Sequence, residues 1–304
     1  MLTDIQLMAR NKGIGGSDCA AICGLSKWKT PLDIYNEKIG KVKNKVENNF
    51  THFGHILEPV ILSEYSKLTG FQCISPTETI THKSYNWMIG NFDGIVSNKK
   101  IIIECKTASV YTAHLWGEEG TDQIPQEYLL QCAHYAMIYD AERVDIAVLL
   151  GGNDFRIYTY NRNEDLEKKI LAMEENFWVN HVLANVPPEP QTLSDVAHLW
   201  QNSESKTCTA NSDILEKAYE LSRVKKQIKE LEKKSDDLSF LLKAHMKEND
   251  SLEGADGEKL ASWKTQSRSF FNASVFKEQQ PDIYKNFLVE NITRVFRLNN
   301  KLDS

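Results

Sequence analysis

The spacing of apolar and polar residues changes period several times over the first 190 residues. A helical period of about 3.6 alternates with the period of two that half-buried strands show. The predicted elements, in chain order, are a short helix over 19–23, a helix over 55–68, strands within 71–105, a helix over 125–139, strands over 144–150 and 155–160, and a helix over 164–183. This order predicts a mixed α/β (α+β) fold.

The prolines of Val186-Pro-Pro-Glu-Pro190 end this pattern, because prolines at this density propagate neither helix nor sheet. Beyond them, residues 211–248 are rich in Lys, Glu and Leu and predict a long helix or coiled coil. Its heptad a and d positions hold Leu221, Val224, Ile228, Leu231, Ser235, Leu238, Leu242 and His245.

The remaining residues, 257–304, predict a strand over 259–271, a helix from about 274 and a last strand over 293–298. The chain is therefore divided into a core over 1–190, a linker and long helix over 191–256, and a small terminal segment over 257–304.

The clearest strand pair joins 91–96 to 100–105 through a turn at Asn98 and Lys99. In that register the numbers of paired residues sum to 197, so Asp93 lies opposite Glu104. Like charges in such a pair repel, unless a cation lies between them. Lys106 shares the face of Glu104 by the period of two.

A hard divalent ion such as Mg²⁺ binds through one or two carboxylates and keeps coordination positions open for water and phosphate. Lys106 beside the two carboxylates would hold or deprotonate a water molecule. The sequence therefore predicts a metal site at Asp93, Glu104 and Lys106. The alternative is an exposed hairpin face with an ordinary ion pair.

Glu58 adds a third carboxylate. Apolar residues follow it at helical spacing, namely Ile61, Leu62 and Tyr65. A carboxylate on that face needs a metal or a basic partner, or else it lies at the rim. Gln131 and Tyr135, four residues apart on a predicted helix, either orient a phosphate or water or are partly buried polar residues.

The glycine-rich segment Gly13-Ile-Gly-Gly-Ser-Asp18 precedes the first short helix, with Ser17 and Asp18 as candidate N-caps. A glycine loop that opens a helix offers backbone N–H groups to an anion. No Gly-Lys-Ser/Thr follows, so the loop is not a P-loop. It is either an anion site or only a turn.

The charge of the whole chain argues against a nucleic-acid partner, since 36 Lys and Arg against 42 Asp and Glu give a net charge of −6. The distribution changes this picture. Residues 1–50 and 257–304 each hold 8 Lys and Arg against 5 Asp and Glu, so each carries +3 and the middle carries −12. Metal-binding carboxylates are expected in that acidic middle.

Cysteines and apolar runs predict the compartment. The 6 cysteines include no Cys-x-x-Cys pair, which favours reduced thiols over disulfides or zinc ligands. No apolar run approaches the roughly 18 residues of a membrane span, and the N-terminus lacks a signal-peptide pattern. We therefore expect a cytoplasmic protein without a membrane partner.

Five motifs, in order, resemble those of the YqaJ-type viral recombinases, lambda-exonuclease-like members of the PD-(D/E)XK nucleases. They are Gly13-Ile-Gly-Gly-Ser-Asp18, Gly54-x-x-x-Glu58-Pro59, Gly90-Asn-Phe-Asp93-Gly94, Ile103-Glu104-Cys-Lys106-Thr107 and Gln131-x-x-x-Tyr135. The resemblance covers about residues 10–160. Phe92 stands where the superfamily has its signature proline, which leaves Asp93 in place.

The resemblance implies an αβββαβ restriction-endonuclease-like core and Mg²⁺-dependent 5′-to-3′ digestion of double-stranded DNA ends, with Mn²⁺ able to substitute. It implies metal ligands at Asp93, Glu104, the Cys105 carbonyl and Glu58. Lys106 would position or activate water, and Gln131 would be a polar member of the site. DNA and 5′-phosphate contacts are expected from Arg10, Gly16, Ser17 and Tyr135.

The same resemblance implies a ring-like homo-oligomer, typically trimeric, and a phage single-strand annealing protein as partner in a bacterial host. An iron–sulphur cluster is not expected, because only Cys208 lies downstream of the core. Two other functions stay open. One is a structure- or site-specific endonuclease on the same fold, and the other is an inert adaptor that works through the 211–248 helix.

Overall fold

The computed structural model describes residues 10–42, 49–96, 98–290, 292–299 and 302. They belong to two compact units, Met1–Leu199 and Trp200–Ser304. The predicted site residues all lie in the first unit.

The first unit combines six helices with seven strands over its described residues. The helices are α1 (Gly16–Ile22), α2 (Pro31–Lys38), α3 (Asn49–Thr69), α4 (Gln126–Tyr139), α5 (Glu164–Phe177) and α6 (Leu193–Leu199). The strands are β1 (Cys73–Ile74), β2 (Ile80–Thr81), β3 (Ile89–Gly90), β4 (Gly94–Val96), β5 (Ile101–Ala108), β6 (Arg143–Leu150) and β7 (Asp154–Asn161). A 3-10 helix at Val110–Leu115 follows β5, and a π-helical turn at Trp178–Leu183 follows α5.

Five strands form one mixed sheet in the spatial order β1, β4, β5, β6 and β7. Only β5 and β6 are parallel, and the other neighbours are antiparallel. Parallel neighbours need a crossover, which α4 provides. The chain order α3, β1, β4, β5, α4, β6 is the αβββαβ order, so the predicted mixed α/β fold is confirmed.

Both faces of the sheet are buried, and β5 shows how the sequence achieves this. Ile102 lies in the larger core, which also contains buried residues of α1 and α4. Ile101 and Ile103 lie in the smaller core with Ile61 and Tyr65 of α3. Burial of each such side chain stabilises the fold by about 1.5–3 kcal/mol. By the strand period, Glu104 shares the face of Ile102.

The register of the β4–β5 hairpin agrees with the prediction. Gly94 pairs with Ile103 and Ile95 with Ile102, so the numbers of the partners sum to 197. One step beyond the ladder, Asp93 comes beside Glu104.

Helix α3 begins earlier than predicted, at Asn49, so Pro59 lies in its interior and not in its first turn. The proline ring removes the N–H that would bond the carbonyl of His55. The helix nevertheless continues to Thr69, because its second half is anchored by the buried side chains of Ile61 and Tyr65.

Helix α1 also starts earlier than predicted. Its N-cap is Gly15, and Asp18 is the third helical residue, whose carboxylate accepts a hydrogen bond from the Gly15 N–H (3.1 Å). Ser17 and Asp18 therefore lie in the first turn and are not N-caps. Gly24, with φ of +69°, follows the helix in the left-handed conformation that glycine adopts without strain.

The glycine-rich loop before α1 is fixed to the chain before β3. The Ile14 N–H donates to the Trp87 carbonyl (2.6 Å), and the Ile89 N–H donates to the Ile14 carbonyl (2.9 Å). A Cβ atom on Gly13 would lie 2.5 Å from the Trp87 carbonyl oxygen. Only glycine allows this approach of two backbones.

The second unit contains one long helix and a small hairpin. Its elements are α7 (Ser212–Met246), β8 (Ser251–Glu253), β9 (Lys259–Ser262), α8 (Ala273–Gln279) and α9 (Pro281–Asn286). The predicted long helix is confirmed. Its heptad residues Val224, Ile228, Leu231, Leu238 and Leu242 are exposed. None of the described helices combines the length and the apolar composition of a membrane span.

One strand prediction in this unit is wrong, and another is correct only at its beginning. The strand expected over 259–271 ends at Ser262, where its pairing with β8 ends. Within the described range 292–299, no strand forms over 293–298. An extended segment becomes a strand only where a neighbour accepts its backbone hydrogen bonds, and the sequence pattern does not identify that neighbour.

A buried ion pair links α4 to α5. His134 Nδ1 lies 2.8 Å from Glu174 Oε1 and its Nε2 lies 3.0 Å from the Ile89 carbonyl, with both side chains fully buried. Burial alone would lower the pKa of His134, but the charge and hydrogen bond of Glu174 outweigh it and raise that pKa. The charge of His134 also interacts with three other titratable groups among the described residues, namely Asp18, Cys23 and His82.

Replacement of His134 by Gln is expected to lower the free energy of unfolding by about 3 kcal/mol or more, because the Glu174 carboxylate then stays buried without its counter-charge. Since the pKa of His134 is raised, the contribution of the pair is complete below the ordinary value of 6.5 and is lost as the pH rises through the folded-state pKa. Urea unfolding at about pH 6 and about pH 9 should therefore show a narrower gap between the wild type and the variant at the higher pH.

His198→Gln, at an exposed histidine of the same unit, serves as the control and should change little. A gap that does not vary with pH would contradict this account of the pair.

Candidate active site

Glu104 is the centre of a buried hydrogen-bond network in the middle of β5, with only 3% of the residue exposed. Lys106 Nζ donates to Glu104 Oε1 (2.5 Å), and Gln131 Nε2 donates to the same oxygen (2.6 Å). Lys106 Nζ also donates to Gln131 Oε1 (3.1 Å). Strand β5 and helix α4 thus bring together three of the predicted site residues.

Helix α4 extends this network towards β4. Gln131 and Tyr135 lie one turn apart, and Gln131 Nε2 donates to the Tyr135 hydroxyl (3.2 Å). The Tyr135 hydroxyl donates to the Asn91 carbonyl (3.1 Å), two residues before Asp93. Asn91 is absent from the predicted set, because a backbone carbonyl leaves no signal in a sequence.

The second oxygen of Glu104, Oε2, is buried and has no hydrogen-bond partner among the described residues. A buried carboxylate oxygen without a partner is costly, and such oxygens are rare in folded proteins. This oxygen therefore has an open coordination position that a cation would fill.

Asp93 comes opposite Glu104 when the register of the β4–β5 hairpin is extended by one step. Its Oδ2 accepts a hydrogen bond from the Cys105 N–H (2.7 Å). Burial raises the pKa of the Asp93 carboxyl well above its usual range, and the negative charges of Glu104 and Glu58 raise it further. Three carboxyl groups therefore act on one another here, which is the arrangement a cation stabilises.

Glu58 lies on α3, on the wall of a groove that Asp93 also lines. The Glu58 side chain is 26% exposed, and its Oε2 is 3.7 Å from His55 Nδ1. It thus takes the position at the rim that the sequence left open as an alternative. It still faces the site, since its charge reaches Asp93.

Lys106 carries the positive charge of the site. Burial alone would lower the pKa of its ammonium, but Glu104 and Asp93 outweigh burial and raise that pKa. Its Nζ also lies 4.8 Å from the centre of the Tyr128 ring, a favourable cation–π position.

The residues present fit a hard divalent cation. Over the described parts of the chain, no three His, Cys, Asp or Glu side chains form a ready-made metal cluster. Asp93 and the free oxygen of Glu104 nevertheless offer two hard donors. Mg²⁺ is commonly bound through one or two carboxylates and keeps its remaining positions for water and phosphate oxygens.

The N-terminal loop reaches the same site from α1. Arg10 Nη2 donates to Ser17 Oγ (2.7 Å). A Cβ atom on Gly16 would lie 2.6 Å from the Tyr135 ring and 3.0 Å from Gln131 Cγ, so this glycine lets α1 pack directly on α4. Helix α1 has only 7 residues, so its dipole is short, and the Arg10 cation and the Ser17 hydroxyl are the donors near its first turn.

Lys38 is a residue of this region that the predicted set lacks. Its ammonium donates to Asp18 Oδ2 (2.6 Å) and to the Arg10 carbonyl (2.7 Å), and both side chains of the ion pair are buried. Burial raises the pKa of Asp18, but the charges of Lys38 and Arg10 outweigh it and lower that pKa to about 2. Lys38 thus holds both α1 and the backbone of Arg10.

A local signal marks the helix that carries Lys38. Thr30 accepts a hydrogen bond from the Asp33 N–H (3.2 Å), the Asp33 carboxylate accepts one from the Thr30 N–H (2.8 Å), and Pro31 is the first helical residue. Thr-Pro-x-Asp is a capping box with a proline at the favoured position. This motif predicts the start of α2, although it gives no partner for Lys38.

The sequence profile of the YqaJ-like viral recombinase domain matches residues 7–142 of this chain. The span includes every predicted site residue. Protein YqaJ of Bacillus subtilis (strain 168), itself uncharacterised, is 31% identical over 304 residues, which covers 97% of this chain and 94% of that protein.

Two solved structures are more distant. The alkaline exonuclease LHK-Exo of Laribacter hongkongensis has a TM-score of 0.48 and 15% identity, over 59% of this chain and 92% of that chain. A phage-related exonuclease of Haemophilus somnus 129PT has a TM-score of 0.43 and 17% identity, over 57% and 96%. Likenesses of this size define neither the fold nor the activity of the present chain.

Replacement of Lys38 by Met is expected to destabilise the protein by about 3–5 kcal/mol, because the Asp18 carboxylate stays buried without its counter-charge. The double variant Asp18→Asn with Lys38→Met removes both charges and should recover part of that loss. Denaturant unfolding near neutral pH measures both free energies. A single variant no less stable than the double variant would contradict the account.

The dependence of stability on acidic pH is a second test of the ion pair between Asp18 and Lys38. Because the pKa of Asp18 is lowered from 3.8 to about 2, its contribution to stability is present above the ordinary value and is lost as the pH falls through about 2. The gap between wild type and double variant should close over that acid range.

Proposed function

Because this chain belongs to the YqaJ-like viral recombinase family, we propose that it is a metal-dependent nuclease that resects linear duplex DNA from its 5′ ends. As a member of this family the chain is a hydrolase that acts on DNA. The finer proposal is 5′-to-3′ polarity, with 3′ single strands left for recombination by annealing. The observation that carries the nuclease proposal is the buried Glu104 carboxylate, whose Oε1 bonds Lys106 and whose Oε2 has no partner among the described residues.

We assign the metal ligands to Asp93, Glu104 and the Cys105 carbonyl, with Glu58 as an additional acidic residue at the rim. Mg²⁺ is the proposed cofactor, with Mn²⁺ able to replace it, because the donors are hard oxygen atoms. Such an ion supplies Lewis-acid activation of water and stabilises the charge that develops on the leaving oxygen.

Lys106 would orient the attacking water or a phosphate oxygen. An ammonium group has three N–H donors and no acceptor. Two of its donors bond Glu104 and Gln131, and the third has no acceptor among the described residues. Those two bonds hold the ammonium in place before substrate arrives, and fixed donors of this kind stabilise developing charge without reorganisation.

Gln131 would act as the residue that holds this arrangement together, since it bonds both Glu104 and Lys106. Tyr135 supports it through its hydroxyl and packs against Gly16. The site and the N-terminal loop are therefore joined by direct packing of α1 on α4.

Arg10 and Ser17 would bind the terminal 5′-phosphate, next to Gly16 and Tyr135. A guanidinium and a hydroxyl, already in contact at 2.7 Å, are donors that suit a phosphate dianion. We propose that anchoring of the 5′ terminus brings the next phosphodiester to Glu104, and that digestion therefore starts at the 5′ end.

The remaining proposals concern partners. A ring-like homo-oligomer, typically a trimer, and a phage single-strand annealing protein rest on the family resemblance. Linear duplex DNA ends are the substrate that the proposed 5′-phosphate pocket supports most directly.

The carboxylates supply the first test of the nuclease. Glu104→Gln or Asp93→Asn should reduce Mg²⁺-dependent digestion of linear duplex by at least about a thousandfold, because each removes a charge that the metal requires. Glu58→Gln should reduce it less, and Glu64→Gln, at a half-buried glutamate of the same helix that pairs with Lys67, should leave it unchanged. Release of acid-soluble nucleotides measures the rate.

Closed circular DNA completes this test, since an exonuclease leaves it intact and an endonuclease nicks or linearises it. Cleavage of the circle would overturn the exonuclease proposal. Wild-type protein without activity in any divalent metal would instead favour the adaptor.

The 5′-phosphate pocket supplies the second test. Wild-type protein should digest 5′-phosphorylated duplex at least about tenfold faster than 5′-hydroxyl duplex, because charge-assisted hydrogen bonds to phosphate are strong. Ser17→Ala should reduce this preference without reducing the rate on the 5′-hydroxyl substrate. Ser84→Ala, at another exposed serine of the same unit, is the control. If the wild type and Ser17→Ala prefer the 5′-phosphorylated duplex to the same degree, Ser17 does not bind the 5′-phosphate.

A further inference from the structure

A groove beside the proposed metal site is lined by three serines, which neither the motifs nor the proposed mechanism uses. Ser63 and Ser66 lie on α3, and Ser75 follows β1 directly. Glu58 and Asp93 line the same groove, so it opens onto the carboxylates. We call it the serine groove.

The fold places these serines together for two reasons. Ser63 and Ser66 are three residues apart on one helix, and positions at that spacing are neighbours on its surface. Strand β1 pairs with β4 so that Ile74 lies opposite Ile95. One residue further in this antiparallel register, Ser75 comes beside Gly94 and therefore next to Asp93.

The three hydroxyl groups are available for a ligand. None of them has a hydrogen-bond partner among the described residues, and Ser63 and Ser75 are exposed. The described residues that line the groove include no Lys or Arg, and Leu62 and Pro59 supply apolar surface. Neutral donors beside apolar carbon atoms match the phosphate oxygens and the deoxyribose of a DNA backbone, which serine hydroxyls commonly contact.

The serine groove and the 5′-phosphate pocket approach the carboxylates from different sides of the sheet. Helix α3 packs on the face of β5 that carries Ile101 and Ile103. Helices α1 and α4, which hold the pocket, pack on the face that carries Ile102. With the 5′ end of a strand in the pocket, the groove lined by Glu58 and Asp93 is the place available on the other face for the strand beyond the scissile bond.

We propose that the serine groove binds the sugar-phosphate backbone of the digested strand on the 3′ side of the scissile bond, through the hydroxyls of Ser63, Ser66 and Ser75. This inference rests on the proposed nuclease function and on its 5′-phosphate pocket. It assigns the groove to the part of the strand that stays with the enzyme after each cleavage.

The test pairs a protein change with a substrate change. The protein change is the double variant Ser63→Ala with Ser66→Ala, and Ser84→Ala is the control. The substrate change is a neutral methylphosphonate at the first or second phosphate on the 3′ side of the first scissile bond, in a 5′-phosphorylated duplex. An uncharged phosphate analogue accepts weaker hydrogen bonds, so both changes weaken the same contact.

In the wild type, one of the two methylphosphonates should lower the initial rate about tenfold, and the double variant should lower the rate on unmodified duplex by a similar factor. The serine variant acting on the methylphosphonate duplex should show an initial rate little lower than either change gives alone, because both changes remove the same interaction. Independent effects that multiply would overturn the proposal, and so would a double variant as fast as the wild type on unmodified duplex. The unfolding midpoint should be unchanged, since the substitutions lie on the groove surface.

Binding in the Glu104→Gln background keeps this test separate from catalysis. Fluorescence anisotropy with a labelled 5′-phosphorylated duplex should show weaker binding after the two serine substitutions and no further loss with the methylphosphonate. If the serine substitutions weaken binding as expected but the wild-type protein does not digest DNA, the proposed nuclease function is contradicted and the proposed role of the groove is supported. If the wild-type protein digests DNA but the serine substitutions leave DNA binding unchanged, only the proposed role of the groove is contradicted.

Discussion

Burial of the Glu104 carboxylate is the constraint on which the rest of the site depends. The strand period places this charge on the same buried face of β5 as Ile102, and a buried charge needs partners. Lys106 and Gln131 satisfy one oxygen. Gln131 can do so only if α4 crosses this face, and α1 packs on α4 only because residue 16 is glycine. The other oxygen of Glu104 stays open, so the protein completes its own fold without completing the coordination of this carboxylate.

Much of this site follows from local patterns in the sequence. The turn at Asn98 and Lys99 sets the hairpin register, and that register brings Asp93 beside Glu104. Helical spacing likewise puts Gln131 and Tyr135 on one face of α4. The local sequence does not predict the position of Glu58 at the rim of the site, because that position depends on the packing of α3 against the sheet. The assignment of metal ligands stays a prediction, since it concerns a group that lies outside the chain.

Other features depend on contacts between distant segments, which periodicity does not encode. Lys38 is one residue of a short helix, and its role arises only when Asp18 and the Arg10 carbonyl come within hydrogen-bond distance. The interior position of Pro59 shows that tertiary anchoring through Ile61 and Tyr65 outweighs the local preference of proline. The segment 293–298 has a strand-like pattern and forms no strand within the described residues, because extended backbone also needs a neighbour.

The distribution of the proposed site over distant segments of the chain has a consequence for the order in which the protein becomes active. The proposed site draws on the N-terminal loop, α3, the β4–β5 hairpin and α4, so its parts are synthesised one after another. A nascent chain that has not yet produced Gln131 has no partner for the Glu104 carboxylate besides Lys106, and its glycine loop is not packed on Tyr135. An unfinished chain on the ribosome therefore lacks the assembled site, and the proposed nuclease would act on DNA only after the first unit has folded as a whole.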